Sequence, residues 1–470
     1  MATLQLSNRS IRFSANYLFL ITGRVMPLLA LLAITLLFSR WLSFEDYGIF
    51  QSVWMYTNIV SVVLGFGITT IIFSTNISTL VAYTGLKIKL LRTFYSVLWM
   101  AAILAFLLLS KHFTTEQRLV IATFIMVQNF NTVAESLLIK RGGEKSYCII
   151  NLCYALLFLG WHIYIAQTNY SLQYLMTGIL ILSFIKLAAI ILLQRQPLKV
   201  PIVSSPENFT EHWLYVGVYD VMGIVSKWAD KLILVYILSA SEFAVFFNGS
   251  IEIPLFGILT SVTGSYMMLY ISKQESDSSR ILNIFRQTFV SLSAVVFPLF
   301  FFFFFFRYEV FTFLFGNAYR EAVSIFAVSL LVIPLRINNY TSILQCFSKG
   351  KIVAIGSLID LVVAIVLVFI LYKWMGMPGA ALAMVLSTLV QSVYYLYKSA
   401  AVLNTTVLQL IPWKKLLINL LFSGLFFYFL SFALQRTDIK ILLAAGAFSV
   451  SAVAAILYFT FNLKKVREAH

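Results

Sequence analysis

Residues 353–371 read VAIGSLIDLVVAIVLVFIL, with a single charge at Asp360, and residues 441–461, ILLAAGAFSVSAVAAILYFTF, carry no charge at all. A helix gains about 1.5 Å per residue, so runs of this length cross the roughly 30 Å hydrocarbon core of a bilayer. No water reaches the backbone there, and only helices or a closed barrel satisfy every N–H and C=O internally. A barrel would show polar/apolar alternation in segments of about ten residues. These runs are longer and unbroken, so the sequence predicts an all-α integral membrane protein.

Composition extends that reading to the whole chain. Of 470 residues, 61% are hydrophobic and 11% charged, and the mean hydropathy is +0.91. A soluble chain would carry about 45–50% apolar and about 25% charged residues. Working outward from the two runs, apolar stretches bounded by charge or turn residues predict about 14 transmembrane helices. They cover 14–38, 46–74, 93–110, 119–138, 147–166, 173–193, 214–237, 244–272, 287–306, 321–346, 352–372, 378–397, 416–434 and 441–462. The first follows Arg9 and Arg12, exceeds a signal-peptide core and lacks a small-x-small cleavage site, which predicts a retained span.

The net charge of +16 would suggest nucleic acid in a soluble protein. Here it is tested first against the tendency of Lys and Arg to stay on the cytoplasmic side. With both termini placed inside, 21 of the 34 basic residues fall on inside segments, eight on outside segments and five within spans. Every inside segment has at least two basic residues, and two outside loops have none. The excess charge is therefore topology, no nucleic-acid partner is expected, and both ends are expected in the cytoplasm.

Other chemistries find little to stand on. Cys148, Cys153 and Cys346 lie in or beside apolar spans, and His112, His162, His212 and His470 are far apart, so neither a metal centre nor a cofactor is expected. The loops are too short to hold a catalytic domain.

The longest loop contains Pro197, Pro201, Ser204, Ser205 and Pro206, a turn-rich linker. It divides the chain into an N-terminal lobe at 1–194 (spans one to six), a cytoplasmic linker at 195–213, a C-terminal lobe at 214–397 (spans seven to twelve) and two additional spans with a tail at 398–470. A short repeat supports two pseudo-symmetric six-helix lobes: LSFEDYGIF at 42–50 matches LSASEFAVF at 238–246 with an offset of 196 and no gap. Each copy opens a helix, where its acid meets the positive end of the helix dipole and its ring lies at the interface. An even number of intervening spans relates the lobes by an axis along the membrane normal.

A charge at mid-membrane costs roughly 2.5–3.5 kcal/mol on insertion scales, so it needs a partner or a wet cavity. Lys186 and Glu135 lie near inner span ends, where a long side chain can snorkel to water. The seventh span is different. Asp220, Lys227 and Lys231 share one stripe at i, i+7 and i+11, flanked by Asp230. Two readings stand: an ion-pair set that docks the helix, or a polar stripe lining a cavity. Arg24, mid-way along the first span, matches Asp220 at the repeat offset of 196, and the two are expected to approach one another in one conformation. Arg336, two residues after Pro334 and followed by Asn338 and Asn339, marks a kinked polar segment. Glu252 and Asp360 read equally as packing or function. The seven phenylalanines at 300–306 read as lipid and packing contact. Trp41, Trp161, Trp374 and Trp413, near span ends, read as interfacial anchors.

The segment 42–50, and WADKLILVYILS at 228–239 followed by Glu242 and Phe243, resemble motifs of the polysaccharide (O-antigen type) flippases of the multidrug/oligosaccharidyl-lipid/polysaccharide (MOP) exporter superfamily. Topology extends the resemblance to essentially the whole chain. It implies a MATE-like two-lobed bundle that turns over an undecaprenyl diphosphate-linked oligosaccharide from the cytoplasmic to the outer leaflet, in a bacterial inner membrane. A diphosphate would be drawn to cations in a wet, low-dielectric cavity. Arg24, Lys227, Lys231 and Arg336 are the expected substrate-binding residues, with Asp220 and Asp230 as a cavity ion pair or coupling groups. No bond is made or broken, so no catalytic residue is expected. Implied partners are membrane lipids, a polysaccharide polymerase and glycosyltransferases, with coupling to H+ or Na+. The same residues leave open a cation-coupled multidrug exporter of the same superfamily, a lipid II flippase, or a membrane glycosyltransferase or polymerase. The first would favour a carboxylate in an apolar lobe, and the last would need large outer loops.

Overall fold

Long apolar runs without internal breakers give long helices. The computed structural model describes residues 2–74, 83, 85, 87–168, 170–194, 209–253, 256, 278–347, 349–434 and 443–449, and among these no strand occurs. In chain order the helices are α1 (Ala2–Trp41), α2 (Phe44–Gly65), α3 (Ile68–Ser74), α4 (Ile88–Leu109), α5 (Thr115–Lys140), α6 (Glu144–Thr168), α7 (Leu172–Leu193), α8 (Phe209–Ile237) and α9 (Ala240–Gly249). There follow α10 (Ser278–Phe305), α11 (Arg307–Phe315), α12 (Ala322–Ser329), α13 (Val332–Leu335), α14 (Ser342–Cys346), α15 (Gly350–Met375), α16 (Met377–Val402), α17 (Val407–Leu410) and α18 (Trp413–Ala433). Most of the linker, 195–208, the later part of the eighth span, 257–272, and most of the fourteenth, 450–462, lie outside the described residues.

Nine of the described helices are long and apolar enough to cross a membrane. Two further expected spans are continuous helices, α5 of 26 residues and α8 of 29. Polar residues hold their hydropathy down: Gln128, Asn129, Asn131 and Glu135 on α5, and the four-charge cluster on α8. The chain is a multi-pass membrane protein.

Three expected spans are not single helices, the eighth among them, since α9 ends at Gly249 and 251–253 carry no helix. The second stops at Gly65, where Phe66 takes φ 38° and Gly67 φ 76°, and resumes as α3. The tenth is divided into α12, α13 and α14 around Pro334 and Asn338–Asn339.

By contact the chain forms two compact units, Met1–Trp228 with Val235–Ala244, and Ala229–Leu234 with Val245–His470. In the first unit, α1 packs on α6 and α5 on α7. Gly23 receives the Tyr147 ring, and Gly178 receives the Trp161 indole, which also donates to the Leu175 carbonyl at 3.1 Å. Trp161 is thus a packing residue as well as an aromatic near a span end. In the second unit, α15 pairs with α16 and α10 with α18. The phenylalanine run serves that second contact: Phe302 and Phe306 are buried with Phe427, and Phe301 lies over Gly424.

Both copies of the sequence repeat fold as the same helix start. Ser43 caps α2 by accepting the Asp46 N–H at 3.1 Å, and Ser239 accepts the Glu242 N–H at 3.3 Å. Glu242 in turn accepts from the Ser239 N–H and hydroxyl, each at 2.9 Å, which holds its carboxyl below the usual glutamate range. The following rings, Tyr47 and Phe243, are fully buried, and a Cβ on Gly48 would run into the Ala240 carbonyl.

Candidate functional site

The charged residues within spans differ in setting. Arg24 and Lys227 are exposed along their helices. Arg24 follows Gly23, so the Tyr147 ring packs beside it, and its guanidinium lies 6.0 Å from the Phe73 ring centre. A cation on a membrane span faces a partner or a wet cavity, not lipid.

Asp220 has a different setting. Along α8, Trp213, Gly217 and Asp220 recur at i, i+4 and i+7 and so share one face. That face meets the broken second span residue by residue. The Trp213 indole donates to the Phe66 carbonyl at 3.0 Å, Gly217 lies against Gly67, and Asp220 accepts the Thr70 hydroxyl at 2.9 Å. Arg24 and Asp220 therefore each have other neighbours, and no ion pair joins them in this structure.

In the second unit Asp230 and Lys231 are buried side by side, Nζ to Oδ2 3.4 Å. Lys231 also reaches the Ser250 carbonyl at 3.4 Å and lies within 6 Å of the Phe246 and Phe247 ring centres, 5.9 and 5.8 Å away. Arg336 sits just after α13, where the tenth span unwinds, and its Nη1 lies 3.3 Å from Glu252 Oε1. Both partners are partly exposed, at 38% and 45% of their side chains. The unwound backbone is satisfied locally: the Tyr340 hydroxyl donates to the Leu335 carbonyl at 2.7 Å, and Asn339 Oδ1 accepts the Thr341 N–H and hydroxyl. Asn338 donates to the Phe285 carbonyl at 3.4 Å.

Lys186 does not snorkel. It is buried in the first unit, 2.5 Å from Glu135 Oε1 and 3.0 Å from Asn151 Oδ1, with its ammonium 4.5 Å from the Tyr154 ring centre. Its partners account for this: a half-buried carboxylate on the packed helix α5 and the Asn151 side chain meet the ammonium where it lies. Two opposite charges at similar depths on the fourth and sixth spans were the signal for this pair, and reading each span alone misses it. Among the described residues no cluster of His, Cys, Asp and Glu could hold a metal ion.

Comparison with known proteins gives the fold and the family. A lipid II flippase captured in an inward closed conformation matches with a TM-score of 0.61 at 16% identity, covering 95% of this chain and 99% of its own. A MOP superfamily transporter from Pyrococcus furiosus, described as having a reversed binding-pocket polarity, matches at 0.57 with 15% identity, over 82% of this chain and 94% of its own. An inward-facing multidrug resistance MATE transporter matches at 0.55 with 14% identity, over 82% and 98%. No curated protein sequence matches. Residues 37–324, more than half of the chain, match the family described as "Polysaccharide biosynthesis protein". The chain therefore belongs to the polysaccharide biosynthesis protein family and has the fold of the MOP superfamily.

Proposed function

We propose that the protein is a flippase that moves a lipid-linked oligosaccharide, carried on undecaprenyl diphosphate, from the cytoplasmic to the outer leaflet for surface polysaccharide synthesis. It works by alternating access through a cationic cavity in a bacterial inner membrane, with both termini in the cytoplasm. The observation that carries the reading is the pair of exposed intramembrane cations, Arg24 and Lys227, in a chain of a polysaccharide biosynthesis family. Charge-assisted contacts to a diphosphate are stronger in a low-dielectric cavity than in water. Arg336 serves the same anion beside Glu252, and the unwound segment around it gives the substrate a polar wall. Lys231, held by Asp230, is the reserve cation of the seventh span, and Asp220 and Asp230 answer to a coupling H+ or Na+. The sugar passes through water while the prenyl chain stays in lipid. No bond is made or broken, so the protein is not an enzyme. Its partners are the lipid-linked oligosaccharide, the surrounding lipids, and the polymerase and glycosyltransferases that act before and after it.

The test is leaflet-resolved labelling of lipid-linked oligosaccharide in cells depleted of this protein. Outer-leaflet label should collapse on depletion and return with the wild-type chain. Arg24→Ala and Lys227→Ala should each restore at most about a tenth of it at equal expression, the loss expected for one charge-assisted contact worth roughly 1.5–3 kcal/mol. Unchanged turnover on depletion rejects the reading.

A further inference from the structure

The first unit holds a cavity of about 590 Å³ beside the break between α2 and α3. Phe66, Tyr83, Phe94, Tyr95 and Trp213 line it with Leu90, Leu91 and Leu214. Its wall is almost wholly apolar, because the polar groups of these rings are already spent. Tyr83 and Thr210 bond each other at 2.7 Å, Tyr95 donates to the Gly65 carbonyl at 3.2 Å, and Trp213 donates to the Phe66 carbonyl. Apart from Lys89 and Thr93 the lining offers an oligosaccharide little to bond, whereas a hydrocarbon chain would lose only water. Leu90, Phe94 and Leu214 on its wall are 58%, 38% and 51% exposed, so the cavity is open on that side. Lys89 lines the cavity, and Lys87, the N-cap of α4, and Arg92, one turn into it, are exposed neighbours of Lys89 in sequence.

We infer that this cavity is a binding site for an anionic diacyl phospholipid of the cytoplasmic leaflet, with one acyl chain among the rings and its phosphate on Lys89, Lys87 and Arg92. The inference goes beyond the flippase reading and rests only on the placement of residues 87–92 at the cytoplasmic face. Each Lys or Arg near a membrane surface adds to its attraction for anionic headgroups. Charge complementarity selects the lipid class, and the dry wall selects the chain. The same rings that line the cavity cap the broken helix, so a seated chain would brace the contact of the second span with α8.

The experiment uses the full-length protein purified in detergent, with phosphatidylglycerol or phosphatidylcholine of identical chains added. Retained lipid is counted by native mass spectrometry, and unfolding is followed on heating. Phosphatidylglycerol should be retained about tenfold more and raise the unfolding temperature by several degrees, as a ligand of the native state must. Lys89→Glu with Arg92→Glu should abolish the preference, and Leu214→Trp, which fills the open side, should abolish retention. The paired charge changes lie on the surface, so that arm stands even where Leu214→Trp fails to fold. Equal retention of the two lipids by the wild type, or full retention by the charge-reversed protein, overturns the inference. Displacement of phosphatidylglycerol by an equimolar long-chain isoprenyl phosphate also overturns it, by assigning the site to the transported lipid. Because neither readout measures transport, its failure is separate from failure of the flippase reading.

Discussion

The breaks in the second and tenth spans meet the same problem by opposite means. At Phe66 the helix ends inside the membrane, and its last carbonyls are met by rings from far along the chain. Trp99 donates to Leu64, Tyr95 to Gly65 and Trp213 to Phe66, at sequence separations of 35, 30 and 147. At 336–342 the break is met from within: Tyr340 reaches back five residues to Leu335, and Asn339 bonds Thr341 two residues on. In hydrocarbon every backbone group needs a partner, and irregular backbone survives only where protein or trapped water supplies one. A break held by distant helices stands or falls with their packing, whereas a break held by its own side chains can move with its helix. The first suits a fixed joint and the second a working surface, which is where Arg336 sits.

The largest expected effect is at the first joint. Gly67 has a positive φ, and an added Cβ would lie 2.8 Å from the Gly217 nitrogen and 2.9 Å from its Cα. Backbone atoms cannot swing aside as a side chain can. The left-handed conformation costs an L-residue about 1–2 kcal/mol, and overpacking adds typically 1–3. Gly67→Ala should therefore lower stability by roughly 2–5 kcal/mol, measured by denaturant or thermal unfolding in detergent. A wild-type unfolding profile would mean that α3 is not seated against α8.

Trp213→Phe tests the joint more gently. The ring remains in the apolar cluster with Tyr83 and Phe209, and only the indole N–H is lost. The Phe66 carbonyl is left without its donor, a penalty of about 1–3 kcal/mol for a buried acceptor. The unfolding measurement should place this variant between Gly67→Ala and the wild type. Should it match the wild type, water rather than Trp213 satisfies the carbonyl, and the joint is not dry.

The contrast also explains what could be read in advance. The tenth span announces its break, because Pro334, Asn338 and Asn339 are local signals that act on their own backbone. The helix starts at Ser43 and Ser239 are legible for the same reason, since a cap and its acid lie three residues apart. The second span hides its break inside an apolar run whose only hints are Gly65 and Gly67, and the donors that make the break tolerable lie on α4 and α8. The charged residues follow the same rule. Asp230 and Lys231 are neighbours in sequence and meet in space, whereas Glu135 and Lys186 belong to separate spans and meet only once α5 packs on α7. Asp220, expected to approach Arg24 in one conformation, bonds Thr70 in this one, with α8 aligned by Trp213 and Gly217 on the same face.

The smallest effect should come at Asn339. Removing its side chain with Asn339→Ala takes one acceptor from Thr341, but the Asn339 N–H keeps its bond to Asn338 Oδ1 at 2.9 Å, and Tyr340 keeps the Leu335 carbonyl. The segment beside Arg336 is partly exposed, so the Thr341 N–H and hydroxyl can turn to water at little cost. The loss should be about 0.5–1.5 kcal/mol, the net worth of one ordinary hydrogen bond. Under the proposed function, leaflet-resolved labelling should fall more than that figure implies, because a loosened 336–342 segment no longer holds Arg336 in one place for the proposed anion. A stability loss as large as that of Trp213→Phe, with transport unchanged, would reverse the assignment. The tenth-span break would then be the fixed joint, and the candidate working surface would have to be sought beside Arg24 and Lys227.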